Sequence, residues 1–127
     1  MYYVGVDIIE IDRIEKVAAR WGDRFLNRVY TGAELRICRD RAPALAVRFA
    51  AKEAVMKALG TGTKGVGWRE IEVLSNSDGK PLVYLYGRAK KKAEELGLGE
   101  LAVSLSHSRE YAIASVVGGS IEDRDFG

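Results

Sequence analysis

Apolar and polar positions follow two rhythms along this chain, and each change of rhythm marks an element. Tyr2 to Ile11 is a run of Val, Ile and Tyr, apolar on both faces except at Asp7 and Glu10, and it predicts a buried strand. Asp12 and Glu15 stand at capping-box spacing, with Asp in place of Ser or Thr. Ile14, Val17, Ala18 and Trp21 follow at helical intervals, so a helix is predicted from about Arg13 to Trp21. Gly22 closes it, and Asp23 is placed to cap a second short helix through Tyr30. Thr31 with Glu34 forms another capping box before a helix to about Arg41. From Ala44 to Leu59 the only charges are Arg48, Lys52, Glu53 and Lys57, the pattern of a helix buried almost all round and ended by Gly60.

The rhythm then shortens. Ile71 to Leu74 and Leu82 to Tyr86 read as strands joined by the turn residues Asn76-Ser77-Asp78-Gly79, a hairpin. Arg88 to Leu96 is a polar stretch of good helix formers closed by Gly97, and Leu101 to Leu105 and Tyr111 to Val117 predict two further strands. Helices segregated from a mainly antiparallel sheet, with one long central buried helix, indicate an α+β fold. A single domain is expected over residues 1–117, followed by a polar tail at residues 118–127.

The charges of the central helix need answers. At about 100° per residue, Arg48 and Lys52 share one stripe, and Glu53 and Lys57 share another. Glu53 followed four residues later by Lys57 is the favourable orientation, whereas Arg48 beside Lys52 sets two like charges together and calls for an anion. Among so many apolar neighbours, each charge would cost several kcal/mol if buried unpaired. The stripes reach either solvent and structural partners or a ligand. Asp7, on an otherwise apolar strand, poses the same question. A salt bridge or backbone hydrogen bonds at the strand end would answer it. So would a hard divalent ion such as Mg²⁺, which takes one or two carboxylates with water and substrate phosphates, and which would relieve the repulsion of a second carboxylate.

Composition narrows the class. The chain has 127 residues, 47% apolar and 30% charged, with no apolar stretch near the length that crosses a bilayer. The N-terminus has no basic region ahead of an apolar core, and Cys38 is the only cysteine, so a cytoplasmic protein without disulfides is expected. Net charge is only +2, but eight Lys or Arg against four acids lie between Arg13 and Arg41. The loop Gly60-Thr61-Gly62-Thr63-Lys64-Gly65-Val66-Gly67 lets backbone amides approach an anion, and it literally matches G-x-G-x-x-G. It follows a helix instead of opening one, so the dinucleotide reading fails, and Val66 after Gly65 breaks the phosphate-loop pattern. One histidine, His107, at a strand end in Ser104-Leu105-Ser106-His107-Ser108, supports neither a catalytic triad nor a zinc site with a single Cys.

Taken together, Gly5-Val6-Asp7-Ile8-Ile9-Glu10-Ile11-Asp12-Arg13 and Arg48-Phe49-Ala50-Ala51-Lys52-Glu53-Ala54, running on to Lys57-Ala58-Leu59-Gly60-Thr61-Gly62, closely resemble the holo-[acyl-carrier-protein] synthase family of 4′-phosphopantetheinyl transferases. Thr31-Gly32-Ala33-Glu34, Gly79-Lys80-Pro81 and the stretch around His107 are weaker echoes in the expected order. The resemblance implies that Asp7 and Glu53 hold Mg²⁺ against the coenzyme A pyrophosphate, and that Lys57 adds positive charge there. It places Arg48 at the 3′-phosphate and Gly60, Thr61 and Gly62 near the nucleotide. Similar proteins are trimers with coenzyme A between subunits, so Arg48, Pro81 and His107 are expected to serve either their own or a neighbour's site. The implied reaction is attack by a carrier-protein serine on the phosphorus bearing the pantetheine arm, with Glu53 the candidate base, in the service of fatty acid biosynthesis. Carrier proteins of that pathway are acidic, and Arg13, Arg20 and Arg24 are expected to dock them. Two other readings stand beside this one. A non-catalytic homologue would bind an acidic protein or a nucleotide without transfer, and the intact Asp7, Glu53 and Lys57 count against it. A nucleic-acid-binding domain is opposed by the low net charge and the lack of a basic aromatic surface.

Overall fold

The computed structural model describes residues 1–120. The elements run β1 (Tyr2–Glu10), α1 (Ile11–Trp21), α2 (Asp23–Val29), α3 (Gly32–Cys38), α4 (Ala42–Leu59) and α5 (Gly62–Gly65). A 3-10 turn (Trp68–Glu70) leads into β2 (Ile71–Ser75), and β3 (Pro81–Leu85), α6 (Gly87–Glu95), β4 (Leu98–His107) and β5 (Tyr111–Ser120) complete them. The fold is α+β, but its strands form two antiparallel sheets: one of three strands in the order β1-β5-β4, and the separate hairpin β2-β3.

Helix α4 lies at the centre, and its apolar surface explains why. Leu45, Ala46, Val47, Ala50, Ala51, Ala54, Val55, Met56, Ala58 and Leu59 are all buried, so nearly every face is covered. One side rests on β1 and β5, and the other meets α1, α3 and β2. Small residues let the layers close up. A Cβ on Gly5 of β1 would lie 1.8 Å from the Ala54 carbonyl oxygen, so this glycine is what allows the strand to touch the helix backbone. Pro43 in the first turn favours the helix start, and Gly60 ends it in the left-handed region at φ +74.

Several boundaries depart from expectation for identifiable reasons. Asp12 does not cap α1: Glu10 occupies the cap position without a side-chain bond, and Asp12 instead pairs with Lys16 at 2.8 Å. Gly22 turns the chain, so Asp23 is the first residue of α2 and not its cap. The Thr31–Glu34 capping box is present, with Thr31 accepting from the Glu34 amide and Glu34 accepting from the Thr31 amide. The turn of α5 occupies part of the glycine-rich loop. Strand β5 continues through Gly118, Gly119 and Ser120, which face Leu101, Tyr2 and Leu98 in register, so the expected tail begins after them. The remainder of that tail lies outside the described residues.

Candidate active site

Close packing of β1 on α4 brings the carboxylates together. Asp7 sits on the inner face of β1, opposite Ala114, with little of its side chain exposed. Lys57 reaches across from α4, its Nζ donating to Asp7 Oδ1 at 3.0 Å and to the Val6 carbonyl at 2.9 Å. Glu53 lies one turn earlier on the same stripe. Its carboxyl is held above the usual carboxylate range, first by partial burial and then by the negative charge of Asp7, while Lys57 and Arg13 oppose the rise. Lys57 is thus bonded to Asp7, while Glu53 accepts no hydrogen bond from it. Two hard carboxylate donors from different elements fit Mg²⁺, which binds through few protein oxygens and keeps other positions for water or phosphate. Among the described residues no group of three or more His, Cys, Asp or Glu is gathered into a fuller cage.

The other stripe of α4 does different work. Lys52 is fully buried and donates to Glu34 Oε1 at 2.8 Å and to the carbonyls of Trp68 and Ile71. Burial pulls its ammonium below the usual lysine range, and Glu34 opposes that shift. Glu34, also fully buried, accepts from the Thr31 amide at 2.9 Å and the Val73 amide at 2.9 Å as well. The anion that the Arg48–Lys52 pair called for is thus supplied for Lys52 from within the fold. Glu34 was legible only as a capping residue, and nothing in its spacing announced this second partner.

Within this subunit Arg48 is 5% exposed, with Nε donating to the Val73 carbonyl at 3.0 Å and Nη1 to the Ala44 carbonyl at 3.3 Å. Its Nη2 donates to Ser75 Oγ at 3.4 Å, and Ser75 pairs with Pro81, so the guanidinium anchors the end of the hairpin that carries Pro81. Arg48 and Lys57 are nine residues apart, about 180° around the helix, which places Arg48 opposite the carboxylate pair. Pro81 begins β3 in the separate sheet, and exposed His107 ends β4, with β5 between it and β1. The structure brings Asp7, Glu53 and Lys57 together in one subunit, and leaves Arg48, Pro81 and His107 apart from them. Gly60, Thr61 and Gly62 follow directly after the Lys57 turn, with Gly60 and Gly62 both at positive φ. Thr61 Oγ1 is buried there without a hydrogen-bond partner.

Arg13, Arg20 and Arg24 are exposed on α1 and α2. Arg13 and Arg20 share one side of α1, and Arg24 rejoins them beyond the break at Gly22.

Comparison with known proteins places this arrangement. A profile of the 4′-phosphopantetheinyl transferase superfamily matches residues 3–116. A holo-[acyl-carrier-protein] synthase of Dehalococcoides mccartyi is 60% identical over 117 residues, covering 92% of this chain and 98% of that protein. Another, from Herpetosiphon aurantiacus, is 55% identical over 125 residues, covering 93% and 98%. Among solved structures, the Helicobacter pylori holo-[acyl-carrier-protein] synthase in complex with coenzyme A superposes with a TM-score of 0.84 at 35% identity, covering 91% of this chain and 99% of that one. The Neisseria meningitidis holo-[acyl-carrier-protein] synthase gives 0.85 at 34% identity, covering 93% and 98%. With Asp7, Glu53 and Lys57 gathered at one edge of the central helix, the chain belongs to the 4′-phosphopantetheinyl transferase superfamily, in its holo-[acyl-carrier-protein] synthase family.

Proposed function

We propose that this enzyme moves the 4′-phosphopantetheine arm of coenzyme A onto a serine of apo acyl carrier protein, releasing adenosine 3′,5′-bisphosphate, with Mg²⁺ held by Asp7 and Glu53. The observation that carries the reading is the convergence of Asp7 and Glu53, 46 positions apart in sequence, on one edge of α4 beside Lys57, close enough for the charge of Asp7 to act on Glu53. When bound, Mg²⁺ would offset negative charge on the diphosphate and its leaving oxygen. Lys57, whose side chain is about half exposed, adds positive charge to the same phosphates. Glu53 is the candidate to take the serine proton, directly or through water. Gly60, Thr61 and Gly62 offer close backbone approach to the nucleotide.

A homotrimer with sites between subunits is part of this reading, and the outer face of the three-stranded sheet supports it. Val4, Val6 and Ile8 of β1 stand opposite Val117, Ser115 and Ile113 of β5, and Tyr2 and Tyr111 extend the row. Val6 and Ile8 are 52% and 61% exposed, so the patch is a contiguous apolar surface that an isolated subunit leaves in water. Covering it with a neighbour accounts for Pro81 and His107 as contributors to a site in the adjacent subunit. The cellular role that follows is cytoplasmic supply of holo carrier protein for fatty acid biosynthesis, and no described helix is long and apolar enough to cross a membrane.

The test is incubation with coenzyme A, Mg²⁺ and apo carrier protein, followed by mass measurement of the carrier. Gain of one phosphopantetheine by the wild type, lost in Asp7→Asn and on chelation, is the expected result. An unmodified carrier in a folded, metal-loaded sample, across several carriers, would leave binding without transfer as the better account.

A further inference from the structure

Trp21 ends α1 and is 47% exposed, although the fold has aromatic clusters in which a tryptophan could be buried. Two guanidinium groups lie over its ring: Arg20 Cζ stands 5.0 Å from the ring centroid and Arg24 Cζ 5.9 Å. Arg24 belongs to α2 and returns to this spot because Gly22 turns the chain at φ +54. Along α1, Arg13, Val17 and Arg20 fall within about 60° of one another. Arg13 is close enough to Glu53 to act on its charge, so a track leads from the carboxylate pair outward along the helix. Seven residues separate Arg13 from Arg20, about 10 Å of helix.

We propose that Trp21, with Arg20 and Arg24 over its ring, is the apolar anchor of the carrier-protein docking surface, packing against an aliphatic side chain of an acidic carrier helix whose carboxylates meet the two arginines. This rests on the carrier-transfer reading above and adds a specificity-determining residue to it. Contact with the ring draws both guanidinium groups to it, and their N–H groups can still meet carboxylates. Half the indole is in water in the free enzyme, and a partner's apolar side chain removes it from water. Tryptophan and arginine together are the residues in which interface energy concentrates. A nucleic acid fits the same ground less well, because Asp12, Glu15 and Asp23 are exposed along these helices and repel a phosphate backbone.

The experiment uses the two tryptophans. Trp68→Phe keeps the stack on Phe49, now 4.7 Å between centroids, and leaves Trp21 as the sole indole emitter. Titrating this variant with a tryptophan-free apo carrier should shift the emission to the blue and saturate, while a single-stranded oligonucleotide should not. In the otherwise wild-type enzyme, Trp21→Ala should raise the carrier KM roughly tenfold, with the coenzyme A KM within about twofold and Trp21→Phe recovering most of the loss. An unchanged carrier KM, equal rises in both KM values, or emission that answers the oligonucleotide and ignores the carrier would overturn the proposal. The two readings fail separately. A wild type that never modifies a carrier refutes transfer, whereas a Trp21→Ala enzyme that transfers at the wild-type carrier KM refutes only the anchor. Thermal unfolding of each variant shows whether the fold is retained, and the emission titration stands independently of Trp21→Ala.

Discussion

Gly5→Ala adds a single methyl group at the point where β1 meets α4, and the geometry makes its effect calculable. The new Cβ would lie 1.8 Å from the Ala54 oxygen, 2.8 Å from the Ala54 carbonyl carbon and 3.0 Å from the Ala58 nitrogen. Relief to a close C···O contact of about 3.3 Å requires the strand and helix to separate by about 1.5 Å. All three obstacles are backbone atoms of a buried helix, so no side chain can swing aside. Overpacking of a core commonly costs about 1–3 kcal/mol, and a clash with backbone belongs at or above the upper end of that range. For a chain of this size, about 3 kcal/mol corresponds to a fall in Tm of roughly 10 °C. The displacement also carries Asp7 away from Lys57 and Glu53, so the loss should reach the site as well as the fold. Thermal unfolding with and without Mg²⁺ measures both, the expected result being a lower Tm and a diminished stabilisation by metal. A Gly5→Ala protein with wild-type Tm and full transferase activity would refute the argument that this glycine sets the strand-to-helix distance.

Three further outcomes follow from the same structure. Because the folded-state pKa of Glu53 is raised above its ordinary value of 4.5, the folded state binds the proton more tightly than the unfolded one. Stability of metal-free protein should therefore fall as pH rises through the window above 4.5 and level off beyond the folded pKa; urea midpoints against pH should show this slope in the wild type and not in Glu53→Gln. Lys52→Met leaves Glu34 charged and unpaired in the core and should cost about 3–5 kcal/mol, whereas Lys52→Met with Glu34→Gln should cost less than the two single changes together, read from denaturant unfolding. Ile8→Asp on the outer sheet face should yield monomers by sedimentation and sharply reduced activity while the secondary structure signal persists; an assembly of unchanged size would count against that face as the subunit contact.

Local chemistry in the sequence announced local structure well. The Thr31–Glu34 box, the Gly60 stop and the apolar length of α4 all involve partners within a few residues, and all appear as expected. Asp12 misled because capping is a matter of where the chain stops being extended, and β1 stays paired with β5 as far as Glu10, so the helix starts before Asp12 can cap it. Strands β4 and β5 outran their hydrophobic cores because backbone pairing continues through glycines and polar residues that carry no alternating signal. At the site, Asp7, Glu53 and Lys57 were visible as anomalous charges among apolar neighbours. The partners of Lys52 and Arg48 were not, because Glu34, Trp68, Ile71 and Val73 approach them from other elements, and several offer only backbone carbonyls that no side-chain pattern encodes.

The pairing of β1 with β5 has a bearing on how the enzyme is born. Tyr2 lies across from Gly119, so β1, the first of the described strands, waits for β5, the last of them, before it can join its sheet. At about 5–20 residues per second, that interval is roughly 6 to 23 s. During it, Asp7 belongs to an unpaired segment and Glu53 to a helix whose main supporting layer is absent. A ribosome-bound chain halted before β5 should accordingly be catalytically silent, and metal affinity should arise in a single late step when the closing strand arrives.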